Sequence, residues 1–281
     1  MRRALVLGGG GITGIAWEIG VLKGLAEAGI DLSGADTVIG TSAGSVVGAQ
    51  LTGGVPLQTM YDAQLADPSG EIAASMTRKM MLTWGATMVL PGDGRRKRRR
   101  LGRAAVRASR RPGAVPLEER LEVFSSRLSL TEWPDRDLRI TAVDADSGAF
   151  VVLDRTSGVD LVLAVASSCA VPLVWPPVPV DGRRYVDGGV RSAANADVAE
   201  GAERVVVLAP LPQSFSRYHR IDAQLARTGA RASSAVSPDA AALAAFGRNM
   251  LDPANRAASA RGGYAQAPSV AAEVRRAWDG P

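Results

Sequence analysis

Cysteine and histidine are almost absent from this sequence of 281 residues, which contains one of each, Cys169 and His219. A single cysteine cannot form an internal disulfide and excludes a metal site built from several cysteines. A single histidine likewise excludes a histidine-rich metal site. We therefore expect a protein of a reducing, cytoplasmic environment that binds no metal and no cofactor.

Long apolar segments are also missing. The amino terminus, MRRALVLGGGGITG, has a short apolar run between two arginines and a series of glycines. Residues 80–90, MMLTWGATMVL, form the longest apolar-leaning stretch. Both are too short for the core of a signal peptide or for a membrane span, so we expect a soluble protein.

Positive charge is concentrated in one segment. The net charge of the chain is +5, but residues 95–111, RRKRRRLGRAAVRASRR, contain ten basic and no acidic residues. The rest of the chain is therefore mildly acidic. The segment from Arg95 to Arg111 lacks the aromatic residues that stack on bases, so we expect no specific nucleic-acid binding. Two interpretations stay open, a solvated linker and a peripheral contact with an anionic membrane.

Hydrophobic periodicity predicts the fold class. A strand at residues 3–7, a helix at 14–29, a strand at 36–40 and a helix of small residues follow one another. This order predicts an α/β protein with a doubly wound, mainly parallel sheet flanked by helices, whose site lies at the carboxyl ends of the strands. Residues from about 56 to 128 show only helical patterns and predict a helical insertion. We expect a single domain, residues 1–281, that includes the basic segment 95–111.

Further strand patterns follow the insertion. LRITAVDAD and AFVVLDR, joined by a turn at residues 146–148, predict a hairpin. Residues 183–189 and 204–210 also resemble strands, with a helix at DLVLAVASS before them. The carboxyl-terminal third is rich in alanine and arginine and predicts helices with a break near Pro238.

A glycine-rich loop is the first candidate site. In GGGGITG at residues 8–14, Gly9, Gly11 and Gly14 satisfy GxGxxG between a strand and a helix. Such a loop directs backbone N–H groups to one point and can hold a phosphate or a developing oxyanion. A dinucleotide site needs an acidic residue at the end of the second strand, where this sequence has IGTSAGS. The nucleotide interpretation is therefore disfavoured.

Ser42 is the second candidate. GTSAG at residues 40–44 fits the nucleophile-elbow pattern GxSxG, in which Gly40 and Gly44 let a strand and a helix approach closely around the serine. The alternative is a helix-capping serine, because serine is common at that position. On the pattern alone the two interpretations are balanced.

Asp187 is the third candidate. It ends a predicted strand in YVDGG and is followed by Gly188 and Gly189. If that strand is parallel to its neighbours, its carboxylate lies on the same rim of the sheet as Ser42. An ordinary Asp-Gly turn is the alternative.

These motifs, GGGITG, GTSAG and DGG in this order, resemble the patatin-like phospholipase family, as does ASSCAVPLVWPPV at residues 166–178. The resemblance runs from residue 5 to about residue 209. It implies a serine acyl hydrolase that cleaves carboxylic esters of lipids or phospholipids. It implies Ser42 as nucleophile, Asp187 as its partner in a dyad without histidine, and an oxyanion hole formed by the amides of Gly9, Gly10 and Gly11. Thr13 departs from the family, which often has a basic residue at that position.

Two other functions stay open. An α/β-hydrolase would use His219 as the base, although SRYHRID around it is polar and predicts an exposed helix start. The chain could instead be a binding module with an inert site, whose basic segment contacts an anionic surface.

Overall fold

A computed structural model describes residues 1–68, 74–111, 115–128, 130–214 and 216–280. Within these residues it has one eight-stranded sheet and ten α-helices. The strands are β1 (Arg3–Leu7), β2 (Thr37–Gly40), β3 (Asp137–Asp144), β4 (Phe150–Leu153), β5 (Val178–Val180), β6 (Arg183–Asp187), β7 (Arg204–Leu208) and β8 (Ala232–Val236). The helices are α1 (Gly11–Glu27), α2 (Ala43–Thr52), α3 (Leu57–Leu65), α4 (Arg78–Val89), α5 (Gly94–Ala108), α6 (Leu117–Leu128), α7 (Leu161–Ser168), α8 (Ile221–Thr228), α9 (Ala240–Phe246) and α10 (Arg256–Trp278).

The sheet is mixed, with a parallel block at its centre. Strands β3, β2, β1, β7 and β8 are parallel neighbours in that order, whereas β4 and β6 pair with β3 in the antiparallel sense and β5 pairs with β6. Helices flank the sheet and connect its parallel strands, as crossover connections require. The prediction of a mainly parallel α/β fold is confirmed.

Strand β3 brings β2 and β6 end to end. Ile140 of β3 pairs with β4 and with Gly40 of β2, while Ala142 pairs with β4 and with Asp187 of β6. Because a strand has two edges and β4 occupies one, β2 and β6 share the other. Strands β2 and β6 point toward each other along this edge of β3. Their carboxyl ends pair with Ile140 and Ala142, which are two residues, or about 7 Å, apart on β3.

The core lies on both faces of the sheet. Alternating residues of β1 point to opposite sides, so that Leu5 and Leu7 pack in one cluster and Ala4 and Val6 in another. Helix α1 is largely buried and packs against α10. A Cβ on Gly20 would lie 2.1 Å from the carbonyl oxygen of Ala260 in α10. Glycine at this position lets the two helix backbones pack in direct contact.

The helical insertion comprises α3 to α6. No strand interrupts it among the described residues between 56 and 128. The basic segment 95–111 lies mostly in α5, which packs on β3 and β6 through Leu101 and Ala105. A Cβ on Gly102 would lie 2.3 Å from the carbonyl oxygen of Ala145, so the helix lies close against the sheet. The basic segment is therefore an ordered amphipathic helix rather than a solvated linker.

The expectation of helices alone in the carboxyl-terminal third is wrong. Residues Ala232–Val236 form β8, which pairs with β7 at the edge of the sheet. Its sequence, ASSAV, has one β-branched residue, Val236, after four small residues, and pairing with β7 decides its conformation. In the described parts of the chain, no helix is both long and apolar enough to cross a lipid bilayer.

Candidate active site

Ser42 lies at a sharp turn between β2 and α2. Its backbone has φ of 52° and ψ of −114°, a left-handed region that is strained for a residue with a side chain. Close packing imposes this turn. A Cβ on Gly44 would lie 2.1 Å from the carbonyl oxygen of Leu7, and one on Gly40 would lie 2.5 Å from Cα of Ser45. Glycine is thus required at both ends of the GxSxG pattern.

Asp187 lies at the carboxyl end of β6, facing that turn. The Ser42 side chain lies beside its carboxyl and lowers the pKa of that group, and the Gly189 N–H donates a hydrogen bond of 2.7 Å to Oδ1. Gly188 fits against β3 because a Cβ there would lie 2.2 Å from Thr141 Oγ1. The expectation that Asp187 reaches Ser42 on a parallel strand is wrong. Strand β6 is antiparallel to β3, and it brings the aspartate to the serine from the opposite direction.

Burial controls the protonation of Asp187, which is 4% exposed. Loss of solvation raises the pKa of this carboxyl to about 6, although the hydrogen bonds from Ser42 and Gly189 and the charge of Arg120 lower it. Above pH 6 the carboxylate is ionised and accepts a proton more readily than an exposed aspartate does. This combination suits a general base at neutral pH.

The glycine loop between β1 and α1 lies beside the serine. A Cβ on Gly9 would lie 3.5 Å from Cβ of Ser42. The Gly9 N–H donates to the carbonyl oxygen of Ala193 at 2.8 Å, so this amide is already engaged. Gly10 is the N-cap of α1 and Gly11 is its first residue, at the end of the helix where N–H groups lack intrahelical partners. The loop therefore offers Gly10 and Gly11, rather than Gly9, as donors.

Gly14 serves packing one turn further along α1. A Cβ there would lie 3.5 Å from Cβ of Ala43, the residue that follows the serine. Thr13 beside it is fully buried, and its N–H donates to the carbonyl oxygen of Met250 at 3.1 Å. The glycine loop thus presents no charged group at this position.

A buried polar network lies next to Ser42 and Asp187. Thr41 and Thr141 share a hydrogen bond of 2.8 Å, and Asn195 Nδ2 lies 3.1 Å from Thr41 Oγ1. The same amide donates to the carbonyl oxygens of Ser192, at 2.7 Å, and Gly188, at 3.3 Å. Asn195 therefore ties the end of β2 to the end of β6. The motif search did not find this residue, and only the polar side chain in SAANADV, close after DGG, signals it.

The segment after α7 completes the wall around the serine. Ser168 Oγ accepts a hydrogen bond of 2.8 Å from the Ser42 N–H, and Cys169 Sγ lies 3.3 Å from the Ser42 carbonyl oxygen. Both residues belong to the stretch that carries the family resemblance. They fix the backbone of the strained turn.

An open cleft extends from Ser42. Its walls come from the glycine loop, α2, α6 and the segment after α7, and most of its lining is apolar. The apolar lining residues are Ile12, Ile15, Val46, Val123, Phe124, Val171, Trp175 and Leu251. Such a surface suits a hydrocarbon chain.

His219 lies away from the serine. It is half-buried in a 3-10 turn (Arg217–His219) before α8, and its Nδ1 lies 2.8 Å from the carbonyl oxygen of Arg191. Burial, together with the charge of Arg191, lowers the pKa of this imidazole. The Ser42 side chain shifts the pKa of Asp187, whereas the charged groups that shift the pKa of His219 are Arg191, Asp197, Arg227 and Arg98. Within the described residues, no three His, Cys, Asp or Glu side chains cluster closely enough to hold a metal ion.

Comparison with known proteins supplies the family. A family model described as Patatin-like phospholipase matches residues 5–200. No curated relative matches the sequence.

Solved structures of larger proteins also match this chain. VipD from Legionella pneumophila is 12% identical with a TM-score of 0.48, and the match covers 96% of this chain and 67% of VipD. The type III effector protein ExoU is 16% identical with a TM-score of 0.40, covering 98% of this chain and 53% of ExoU. ExoU in complex with SpcU, from Pseudomonas aeruginosa, gives 16% identity, a TM-score of 0.42, and coverages of 99% and 52%. This chain spans about half the length of ExoU.

Proposed function

Because the chain belongs to the patatin-like phospholipase family, and is therefore a lipid acyl hydrolase, we propose that it cleaves carboxylic esters of lipids or phospholipids through a Ser42–Asp187 dyad. The observation that carries this proposal is that β2 and β6 end against the same edge of β3, which brings the Ser42 side chain next to the buried Asp187 carboxyl. The apolar cleft beside Ser42 supports a substrate with an acyl chain.

The reaction begins when Ser42 Oγ attacks the ester carbonyl carbon and Asp187 takes the hydroxyl proton. The tetrahedral oxyanion accepts hydrogen bonds from the amides of Gly10 and Gly11, and the amino-terminal ends of α1 and α2 add positive potential. Collapse of this intermediate breaks the bond to the alcohol, which leaves with the proton from Asp187. Water then attacks the acyl-serine with Asp187 as base, releases the acid and restores the serine.

The experiment is ester hydrolysis by wild type, Ser42→Ala and the matched control Ser233→Ala, in which an exposed serine of β8 is replaced. We expect Ser42→Ala to lose several powers of ten in kcat, and Ser233→Ala to retain the wild-type rate. Circular dichroism establishes that both variants fold. Turnover by folded Ser42→Ala within about tenfold of wild type rules out Ser42 as the nucleophile.

We also propose that α4 and α5 place the protein on anionic membranes. Four arginines of α5, at positions 96, 100, 103 and 107, are exposed and follow helical spacing along one face. On α4, Met81 and Leu82 are 53% and 66% exposed. Trp84 Nε1 donates to the Pro172 carbonyl oxygen at 3.2 Å, and this bond holds α4 next to the segment that lines the cleft. Basic and apolar groups near the mouth of an acyl-binding cleft suit a lipid surface.

Replacing those four arginines by glutamine tests the membrane contact. Each cation near an anionic surface is worth about 1 kcal/mol, so binding should fall roughly a thousandfold for four. Cosedimentation with phosphatidylserine-containing vesicles measures this, with phosphatidylcholine vesicles as control. The attraction should weaken as salt increases. Equal binding of the wild type to both kinds of vesicle at low salt contradicts the proposal.

A further inference from the structure

Arg120 is the charged side chain of the cleft. It lies on α6 and is 4% exposed. Among the described residues that line the cleft with Ser42, it is the one that carries a charge. It occupies a position on the apolar stripe of α6, four residues before Phe124. A cation on the apolar face of a helix is costly unless neighbouring groups partner it.

Neighbouring groups hold the guanidinium in a fixed orientation. Arg120 Nη2 donates a hydrogen bond of 3.1 Å to the carbonyl oxygen of Cys169. Its Cζ lies 4.5 Å from the ring centroid of Trp175 and 5.3 Å from that of Phe124. A planar guanidinium held by aromatic rings loses little further freedom when it binds an anion.

The same backbone segment connects Arg120 to the reacting serine. Cys169 follows Ser168, whose Oγ accepts the hydrogen bond from the Ser42 N–H. The charge of Arg120 also acts on Asp187, whose pKa it lowers. A substrate with its ester carbonyl at Ser42 therefore has its neighbouring groups beside a positive charge.

The glycine loop offers no competing cation. Thr13 of this loop is fully buried, and its backbone N–H donates to the carbonyl oxygen of Met250. The positive charge of the cleft belongs instead to Arg120, in helix α6 of the helical insertion. A guanidinium binds phosphate through two parallel hydrogen bonds, which suits a phosphate group attached close to an acyl ester.

We propose that Arg120 is a specificity-determining residue that binds the phosphate group of the substrate, so that the site prefers phosphate-bearing acyl glycerols to neutral ones. This proposal rests on the proposed acyl hydrolase function. The proposal names the substrate class, phosphate-bearing acyl glycerols, and the one side chain of α6 that selects it.

The test compares two substrates that differ only in the phosphate, 1-octanoylglycerol-3-phosphate and 1-octanoylglycerol. Both are used as monomers at pH 8, where Asp187 is ionised, so that loss of the Arg120 charge does not change the protonation of the base. The variants are Arg120→Gln, Arg120→Lys and the control Arg231→Gln, whose side chain is 82% exposed in the wild type. The quantity measured is the ratio of kcat/KM for the phosphorylated substrate to that for the neutral one.

We expect the wild type to prefer the phosphorylated substrate and Arg120→Gln to lower the ratio by about 10- to 150-fold, the range for loss of a charged hydrogen-bond partner. Arg231→Gln should leave the ratio unchanged. Arg120→Lys should give an intermediate ratio, because lysine keeps the charge but not the paired geometry.

A wild type without preference, or an Arg120→Gln variant that slows both substrates equally, overturns the proposal. If Arg120→Gln does not fold, Arg120→Lys serves as the test variant. A kcat/KM ratio of Arg120→Lys equal to that of wild type then overturns the proposal. Failure of the hydrolase function itself looks different, because the wild type then cleaves neither ester or Ser42→Ala cleaves both.

Discussion

Replacing Asp187 by asparagine should abolish activity and yet stabilise the fold at neutral and alkaline pH. The carboxyl has a pKa of about 6 in the folded protein, against 3.8 for an ordinary aspartate, because burial disfavours its charge. Between pH 4 and pH 6 the folded protein keeps a proton that the unfolded chain releases. The free energy of unfolding therefore falls as pH rises through this range and levels off above it.

The magnitude follows from the two pKa values. Because the unfolded aspartate is already partly ionised at pH 4, the wild type loses about 2.4 kcal/mol of stability between pH 4 and pH 8. Asparagine does not titrate, so Asp187→Asn avoids this loss. The stability difference between variant and wild type should thus grow by about 2.4 kcal/mol from pH 4 to pH 8. Glu18, a second carboxyl whose pKa is raised by burial, contributes equally to both proteins and cancels.

Urea unfolding followed by circular dichroism at both pH values measures this difference. Asp222→Asn, at an aspartate whose side chain is 67% exposed, serves as the control and should change by less than about 0.5 kcal/mol between them. A stability difference between Asp187→Asn and wild type that is the same at pH 4 and pH 8 refutes the reasoning. In that case the carboxyl would not be held in a desolvated site.

Three further predictions concern the base, its support and the packing of the helices. The rate of hydrolysis at low substrate should fall below pH 6, to about one-tenth at pH 5, because Asp187 becomes protonated, and His219→Ala should keep this profile in a stopped-flow or pH-stat assay. Asn195→Ala should lower stability by about 2 to 4 kcal/mol and reduce kcat, since it removes buried hydrogen bonds below the dyad; unchanged urea midpoints and kcat would contradict this. Gly20→Ala should lower the melting temperature because its Cβ would overlap α10, whereas Gly85→Ala on α4, with no atom within 4 Å of the added Cβ, should not.

The pH profile cannot identify the base by itself. A histidine base predicts an ionisation at about pH 6 to 7. Burial places the pKa of Asp187 in nearly the same range. Among pH–rate profiles, that of the His219→Ala variant separates a histidine base from an aspartate base.

The amino-terminal half of the site could be predicted from local sequence alone. A strand, a glycine-rich turn and a helix follow one another both at the glycine loop and at Ser42, and backbone contacts require glycine at Gly11, Gly40 and Gly44. The strands at residues 3–7 and 36–40 and the hairpin after residue 137 were predicted for the same reason, because their β-branched and aliphatic runs are continuous.

The approach of Asp187 to Ser42 could not be predicted correctly, because it depends on the direction of a strand. Residues 183–187 have the same pattern in either direction, and only pairing with β3 makes β6 antiparallel. The position of Arg120 in the cleft could not be predicted for a similar reason. Its sequence signal is a charge on the apolar stripe of α6, but its neighbours in the cleft come from distant parts of the chain.

The central claim, that Ser42 is activated by Asp187 without a histidine, is tested most directly by the rate at which a fluorophosphonate labels Ser42. Intact-protein and peptide mass spectrometry follow the adduct at pH 8 in wild type, Asp187→Asn and His219→Ala. The account predicts one adduct per chain at Ser42, labelling at least about a hundredfold slower in Asp187→Asn, and a near wild-type rate in His219→Ala. Fast labelling of Ser42 in Asp187→Asn, together with slow labelling in His219→Ala, would contradict the account and identify the histidine as the base.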